Sequence, residues 1–253
     1  MYLGFSWDYC MTPVGDDQDA DGVRDSCEYQ LAYAFRPWLR IMSRDRCPER
    51  ESYWSAAREP SANVVKIFYL LSYHKDCGNF EPHNGDSEFV VLYVAPPTNG
   101  DGRWKLRVMT TSAHYGAVTN STASVYYYSV EYPEVYRSAP RVYVALDKHA
   151  NYYSDAECDA GAWYYDKCDD PSFHGRVEVL PHADGNIGNN WARTGDIQLK
   201  WHLYSRWGQP GVETPWGGFR PDGTISNKFC GWQDPSAGPC AGTYAITLRD
   251  YGF

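Results

Sequence analysis

The sequence predicts an all-β protein: an antiparallel β-sandwich of jelly-roll-like type, with a short calcium loop and helix at its N-terminus. Three observations lead there. Apolar runs of strand length recur, among them residues 63–73 (NVVKIFYLLSY) and 88–95 (EFVVLYVA). They are rich in the β-branched and aromatic residues that suit a pleated surface. Gly, Pro, Asn and Asp cluster between them as turn signals. Helical periodicity is confined to one N-terminal segment.

In chain order, an irregular opening leads into an acidic cluster at residues 16–28. A short helix follows, with Leu31, Phe35 and Leu39 at four-residue spacing, its last turn disturbed by Pro37. Strands are expected at 63–73, 88–95 and 103–110, where Trp104, Leu106 and Val108 alternate with Lys105 and Arg107. Further strands are expected at 124–132, 141–147, 176–180, 197–204 and 243–248. Long loops rich in Gly, Pro and Trp fill the C-terminal third, and residues 201–232 are the expected source of exposed aromatics. With no repeat and no low-complexity linker, the expected division is an appendage of residues 1–40 packed on a sandwich domain of residues 41–253.

Composition narrows the function. The chain has 253 residues, with 32 acidic against 23 basic and a net charge of -9. This excludes a generic nucleic-acid binder, which needs a basic face against phosphates, and a polybasic membrane anchor. Mean hydropathy is -0.58. The longest uncharged run, residues 108–130, is dense in Ser, Thr, Asn and Tyr, so an integral helical membrane protein is not expected. Eight cysteines (Cys10, Cys27, Cys47, Cys77, Cys158, Cys168, Cys230 and Cys240) are widely spaced with no CxxC pair, which points to disulfides in a secreted, extracellular protein. Cys158–Cys168 and Cys230–Cys240 have the spacing of local staples, leaving Cys10–Cys27 and Cys47–Cys77 as the residual pairing among the connectivities the spacing permits. The opening MYLGFSWDYC has neither a basic n-region nor a long apolar stretch and is read as a mature start. Asn120-Ser-Thr is a glycosylation sequon for a eukaryotic source.

Residues 17–28 read DQDADGVRDSCE. Asp17, Asp19 and Asp21 fall at loop positions one, three and five, and Gly22 falls at the sharp turn. Val23 offers its carbonyl at seven, Asp25 stands at nine and Glu28 at twelve. This is the twelve-residue Ca²⁺ pattern, in which a hard cation gathers six to eight oxygens from one tight loop. Pro13 and Gly15 rule out a normal entering helix, so the loop resembles those of dockerins and thrombospondin type-three repeats. A structural role for Ca²⁺, pinning the N-terminus, is expected.

A second metal-type constellation begins at HNGDSE, residues 83–88. Asp86 and Glu88 are two apart at a strand start and share a face by alternation; His83 is expected on the loop before it. His149 follows a strand in RVYVALDKHANY, and His114 follows another in TSAHYG. Imidazole plus two carboxylates is a donor set for a second divalent metal.

At these residues the sequence resembles the vacuolar protein sorting sixty-two family. The cues are HNGDSEFVVLYV, VYVALDKHANYY, WHLYSRWGQPG with WGGFRPDG, and the helix segment CEYQLAYAFRPWLR. The family's H-x-G-D-W-E and H-A-x-Y motifs place His83, Asp86, Glu88 and His149; Ser87 stands where the motif carries Trp. That family is distantly similar to the necrosis- and ethylene-inducing-like proteins, β-sandwiches that carry a divalent metal and damage membranes after binding sphingolipid headgroups. Their heptapeptide is absent here. The resemblance implies a secreted, toxin-like module that recognises a glycan or lipid headgroup. Two alternatives stand beside it: a metal-dependent hydrolase, with His114 or a carboxylate as base, and a structural extracellular protein. No nucleophile elbow, Walker loop, zincin helix or dinucleotide fingerprint appears in the sequence.

Overall fold

The computed structural model describes residues 1, 3–12, 14–17, 21–48, 50–59, 61–79, 83–97, 102–112, 122–126, 139–160, 166–168 and 176–178. The elements are α1 (Trp7–Cys10), α2 (Asp25–Phe35), β1 (Trp38–Arg40), β2 (Arg50–Glu59), β3 (Val64–Asp76), β4 (His83–Ala95), β5 (Lys105–Ser112), β6 (Thr122–Tyr126), β7 (Arg141–Val144), β8 (Asn151–Tyr152), α3 (Asp155–Ala160) and β9 (Arg176–Glu178). They form two sheets, ordered β2-β3-β4-β5-β6 and β8-β7-β1-β9. The expected all-β architecture holds, and among the described residues the pairing is antiparallel except for β1 on β7, which is parallel.

The helix stops earlier than its apolar spacing suggests. Arg36, forced out of the helical region by the ring of Pro37, has φ -49° and ψ 131°. Leu39 therefore belongs to β1. Strand β2 escapes a hydropathy reading because its Arg and Glu residues mask the apolar Trp54, Ala56 and Ala57. It pairs with β3 without a break from Arg50↔Tyr73 to Glu59↔Val64.

Two boundaries correct the sequence reading. β4 starts at His83 and not at Glu88, so His83 is a strand residue, paired with Asp76 of β3, and does not lie on a loop. The β3 ladder extends that far and captures the polar segment. β7 ends at Val144, ahead of the expected Asp147, because Asp147 takes a left-handed φ of 64° in a turn. The strands expected at 197–204 and 243–248, the aromatic loops of 201–232, Asn120, His114, Cys230 and Cys240 lie outside the described residues.

One core joins both sheets and the N-terminal segment. Leu31 and Phe35 of α2, with Leu39, Val142 and Val144 of the smaller sheet, cluster with Trp54, Ile67, Tyr69, Val90, Leu92 and Met109 of the larger. The Tyr69 hydroxyl, at 2.6 Å, donates to the Ala32 carbonyl and ties α2 to β3. Trp104 packs against Phe5 and Trp7, with centroids 5.6 and 6.1 Å apart, and its Nε1 donates to the Phe5 carbonyl at 3.3 Å. Disulfides form as Cys10–Cys27, Cys47–Cys77 and Cys158–Cys168, the three pairings expected among the described cysteines. Among the described residues no helix is long and apolar enough to cross a membrane.

Candidate functional site

The β3–β4 ladder is apolar in its middle and polar at one end. Tyr69↔Val90 and Ile67↔Leu92 sit in the core, while Leu71 faces Glu88, Tyr73 faces Asp86 and Asp76 faces His83. The turn after β7 closes over this end. The Ala145 amide donates to the Ala150 carbonyl and the His149 amide to the Ala145 carbonyl, both at 2.9 Å. Asp147 anchors the turn from outside: its carboxylate accepts from the Arg46 amide and Nε, each at 2.8 Å, and its carbonyl accepts from the Cys77 amide at 2.8 Å. So held, His149 adopts a left-handed φ of 61° and is fully buried.

The His149 ring lies flat on Tyr73, centroids 3.8 Å apart and planes 2° from parallel. Its Nε2 is 3.5 Å from Oδ1 of Asp45, whose side chain is also buried. Burial alone would push the Asp45 carboxyl up. The hydrogen bond and charge of His149, with the amides of Cys47 and Asp147, outweigh that and hold it below its usual value.

Deeper along β4, polar residues gather at Phe89 and Val90. Glu88 is buried and accepts a hydrogen bond from the Ser112 hydroxyl, whose oxygen also accepts from the Phe89 amide at 2.7 Å. The Asn151 Nδ2 donates to the Phe89 carbonyl at 3.4 Å. Thr111 is paired in register with Val90. The Oδ1 of Asn151 and the Oγ1 of Thr111 are buried and have no hydrogen-bond partner among the described residues. Buried oxygens are rarely left so, because each costs about 1–3 kcal/mol. Next to Asn151, the Tyr152 hydroxyl donates to Asp166 at 2.5 Å, and Lys148 lies 3.8 Å from the other oxygen of that carboxylate. Burial first, then the charge of Asp166, pushes the Tyr152 phenol far up, and Glu88 adds to the effect. Tyr152 therefore acts as a neutral donor.

The structure thus brings His149 beside the Asp86 register position, and the charge of Glu88 adds to the upward push on the Tyr152 phenol. His83 is paired with Asp76, three positions beyond Tyr73 on β3, and the Asp76 carboxylate accepts from the Gly78 amide at 2.6 Å. Asp45, Asp76, Asn151 and Asp166 escape a motif-based reading. Asp45, Asp76 and Asp166 reach the site from three different segments and sit in no recognisable pattern; Asn151 occupies the variable position of the H-A-x-Y motif, which does not specify its residue type.

Asp45, Cys47 and His149 also bring three donor-type atoms within 4.8 Å of one another. Cys47 is bonded to Cys77, so its sulfur is no thiolate in the oxidised chain.

At the N-terminus, Asp17 accepts from the amides of Asp21 and Gly22, each at 3.2 Å, and the Val23 amide donates to Asp21 at 2.8 Å. Gly22 has φ +88°, a conformation that needs glycine. Asp25 opens α2 and Glu28 is fully buried on it. Asp19 lies outside the described residues. Elsewhere, a cleft of about 500 Å³ is lined by Tyr29, Gln30, Tyr33, Arg36 and Trp38, with Tyr29 and Tyr33 exposed.

No protein-family model matches the chain. No curated protein matches it either. Among solved structures, it is similar to necrosis and ethylene inducing protein 2 from the causal agent of cocoa's witches' broom disease, at 12% identity and TM-score 0.37, over 65% of this chain and 79% of that one. It is similar to NLPPya in complex with mannosamine at 14% identity and TM-score 0.40, over 76% and 87%. It is similar to the non-toxic HaNLP3 protein at 14% identity and TM-score 0.41, over 78% and 86%.

Proposed function

We propose that this chain is an extracellular recognition protein that uses a divalent cation at the polar end of β4 to engage a hydroxyl-rich headgroup, a glycan or a glycosylated lipid. The observation that carries this reading is a pair of buried oxygens with no hydrogen-bond partner among the described residues, Asn151 Oδ1 and Thr111 Oγ1, on side chains placed against Phe89 and Val90, the two residues that follow the buried Glu88. Acceptor oxygens next to a carboxylate are the donor chemistry of a hard cation. Asp86 and Glu88, two apart on one face of β4, would hold the ion; His83, an odd number of positions before them on the same strand, falls on the other face and is left out of the shell. His114 remains a candidate donor, and His149 borders the site through its stack on Tyr73. A bound cation would supply positive charge for sugar hydroxyls or a headgroup phosphate. Tyr152 and Asp166 would keep the adjoining wall polar.

The Asp17–Glu28 pattern is proposed as a separate, structural Ca²⁺ site. Asp17 and Asp21 already shape the loop, and Glu28 follows it as a buried carboxylate in the first turn of α2. Exposed Tyr29 and Tyr33 support sugar stacking at the α2 cleft, since flat aromatic faces suit pyranose rings.

The test is titration calorimetry with amino sugars, and flotation with vesicles carrying glycosylated sphingolipid, each with divalent cation and with chelator. Binding that needs the cation and falls about tenfold or more in Glu88→Gln, with an unchanged near-ultraviolet spectrum, is the expected result. Equal binding in chelator, or full binding by Glu88→Gln, would overturn the reading.

A further inference from the structure

We infer that the Cys47–Cys77 disulfide is one state of a thiol-gated zinc site, whose second state is a Cys47/Cys77/His149/Asp45 centre. Three of the four donors already lie within 4.8 Å of one another: an Asp45 carboxylate oxygen, the Cys47 sulfur and a His149 ring nitrogen. The fourth, the Cys77 sulfur, is covalently joined to Cys47. Two sulfurs, one imidazole and one carboxylate are a donor set for tetrahedral zinc, and four protein ligands make a closed, structural site.

The ligands are already oriented by their surroundings, as metal ligands are in established sites. The Cys47 amide donates to Asp45 Oδ1 at 2.9 Å and the Asp147 amide to Oδ2 at 3.2 Å, which aims the carboxylate at His149. Stacking on Tyr73 sets the imidazole plane. Zinc with two thiolates, one carboxylate and a neutral imidazole carries a net charge of about minus one, from ordinary ligand charges. The Arg46 guanidinium, bound to Asp147 and donating to the Cys77 carbonyl, lies where it can offset that charge. Cys77 is only half-buried, which gives the ion a way in, while Cys47 and His149 are buried.

The chemistry balances with a dithiol as reductant. Its two thiols become a disulfide as the Cys47–Cys77 bond breaks, and two electrons and two protons pass to give two protein thiols. Zinc then displaces both thiol protons, and the metal replaces the sulfur–sulfur bond as the clip between the loop before β2 and the end of β3. His149 and the turn that carries it would thus remain in place after the disulfide has been opened.

The test uses the full chain, reduced under native conditions by a dithiol, desalted without oxygen and titrated with Zn²⁺ against a chromophoric chelator. Co²⁺ serves as a spectroscopic probe of thiolate ligation. The expected result is one additional tightly held zinc gained on reduction, with a thiolate signature in the Co²⁺ spectrum that the oxidised chain lacks whatever its oxygen-donor sites hold. Affinity should fall about tenfold or more in Cys47→Ser and in His149→Gln, and stay unchanged in Cys158→Ser. Asp45→Asn, read by the Co²⁺ spectrum, serves as the second variant if His149→Gln fails to fold. Equal zinc binding by the oxidised chain, undiminished binding by Cys47→Ser, or a reduced chain that binds no zinc while keeping its far-ultraviolet spectrum would each overturn the inference.

Discussion

The imidazole of His149 rests on the phenol of Tyr73 with 3.8 Å between ring centroids and 2° between planes. The two residues come from a turn and a strand separated by more than seventy positions. Their contact fastens the 145–150 turn to the polar end of the β3–β4 ladder, and it depends on Asp45 holding the far edge of the ring.

Asp45→Ala should therefore destabilise the fold by about 2–4 kcal/mol, since it strips a buried imidazole and the Cys47 and Asp147 amides of their acceptor. Urea unfolding checks this. A loss under about 0.5 kcal/mol would mean that the turn is held by the Arg46–Asp147 clamp alone.

Calcium at a hundredfold excess over its dissociation constant should stabilise the native chain by about 2.7 kcal/mol. For a domain of this size that amounts to several degrees in Tm. Scanning calorimetry with Ca²⁺ and with chelator measures it, and Glu28→Gln should abolish most of the difference. Coincident melts in the two conditions would exclude a stabilising ion in the loop.

Gly78→Ala should cost about 1–3 kcal/mol. A Cβ there would meet Cγ of Lys148 at 2.7 Å and Oδ1 of Asp76 at 2.9 Å. Relief requires moving Lys148 away from Asp166 or breaking the Gly78–Asp76 hydrogen bond. A neutral effect in thermal unfolding would show that the Lys148 stem swings aside freely.

Acid should weaken the β2–β3 edge. Glu59 is held below its usual value, first by hydrogen bonds from Ser61 and then by Lys66, whose buried Nζ is 3.3 Å away. A lowered carboxyl stabilises the fold above its unfolded value, near 4.5, and that contribution is lost as pH falls through the lower folded value. Glu59→Gln should thus reduce stability at neutral pH and flatten the acid limb below about pH 4.5. Parallel stability–pH curves for the two proteins would rule the contribution out.

Much of the frame was legible in the sequence because it rests on local rules. The runs at 63–73 and 88–95 announce β3 and β4 by composition, and Pro37 announces the break between α2 and β1. The Cys158–Cys168 staple follows from spacing, whereas Cys10–Cys27 and Cys47–Cys77 are one of three ways to pair those four cysteines, and the fold selects it. Strand β2 was hidden because its charged residues dilute the apolar ones, although register on β3 makes it a strand. The extension of β4 back to His83 was hidden for a related reason. HNGDS has weak strand propensity of its own and is extended because a long partner offers backbone hydrogen bonds.

The candidate site divides along the same line. By itself the sequence determined which donors the chain possesses: the carboxylates at strict loop spacing from Asp17 to Glu28, the Asp86 and Glu88 pair two apart on one strand, and the histidines at strand ends. Only the tertiary structure decided that the His149 ring would face Tyr73 and Asp45, that Asn151 and Thr111 would bury oxygens left without a hydrogen-bond partner among the described residues, and that Cys47 would lie next to an imidazole and a carboxylate. Spacing along a strand or loop is set by backbone geometry and is written in a few neighbouring residues. Contacts across the fold depend on long-range packing, where turn conformation and ladder register choose the partners.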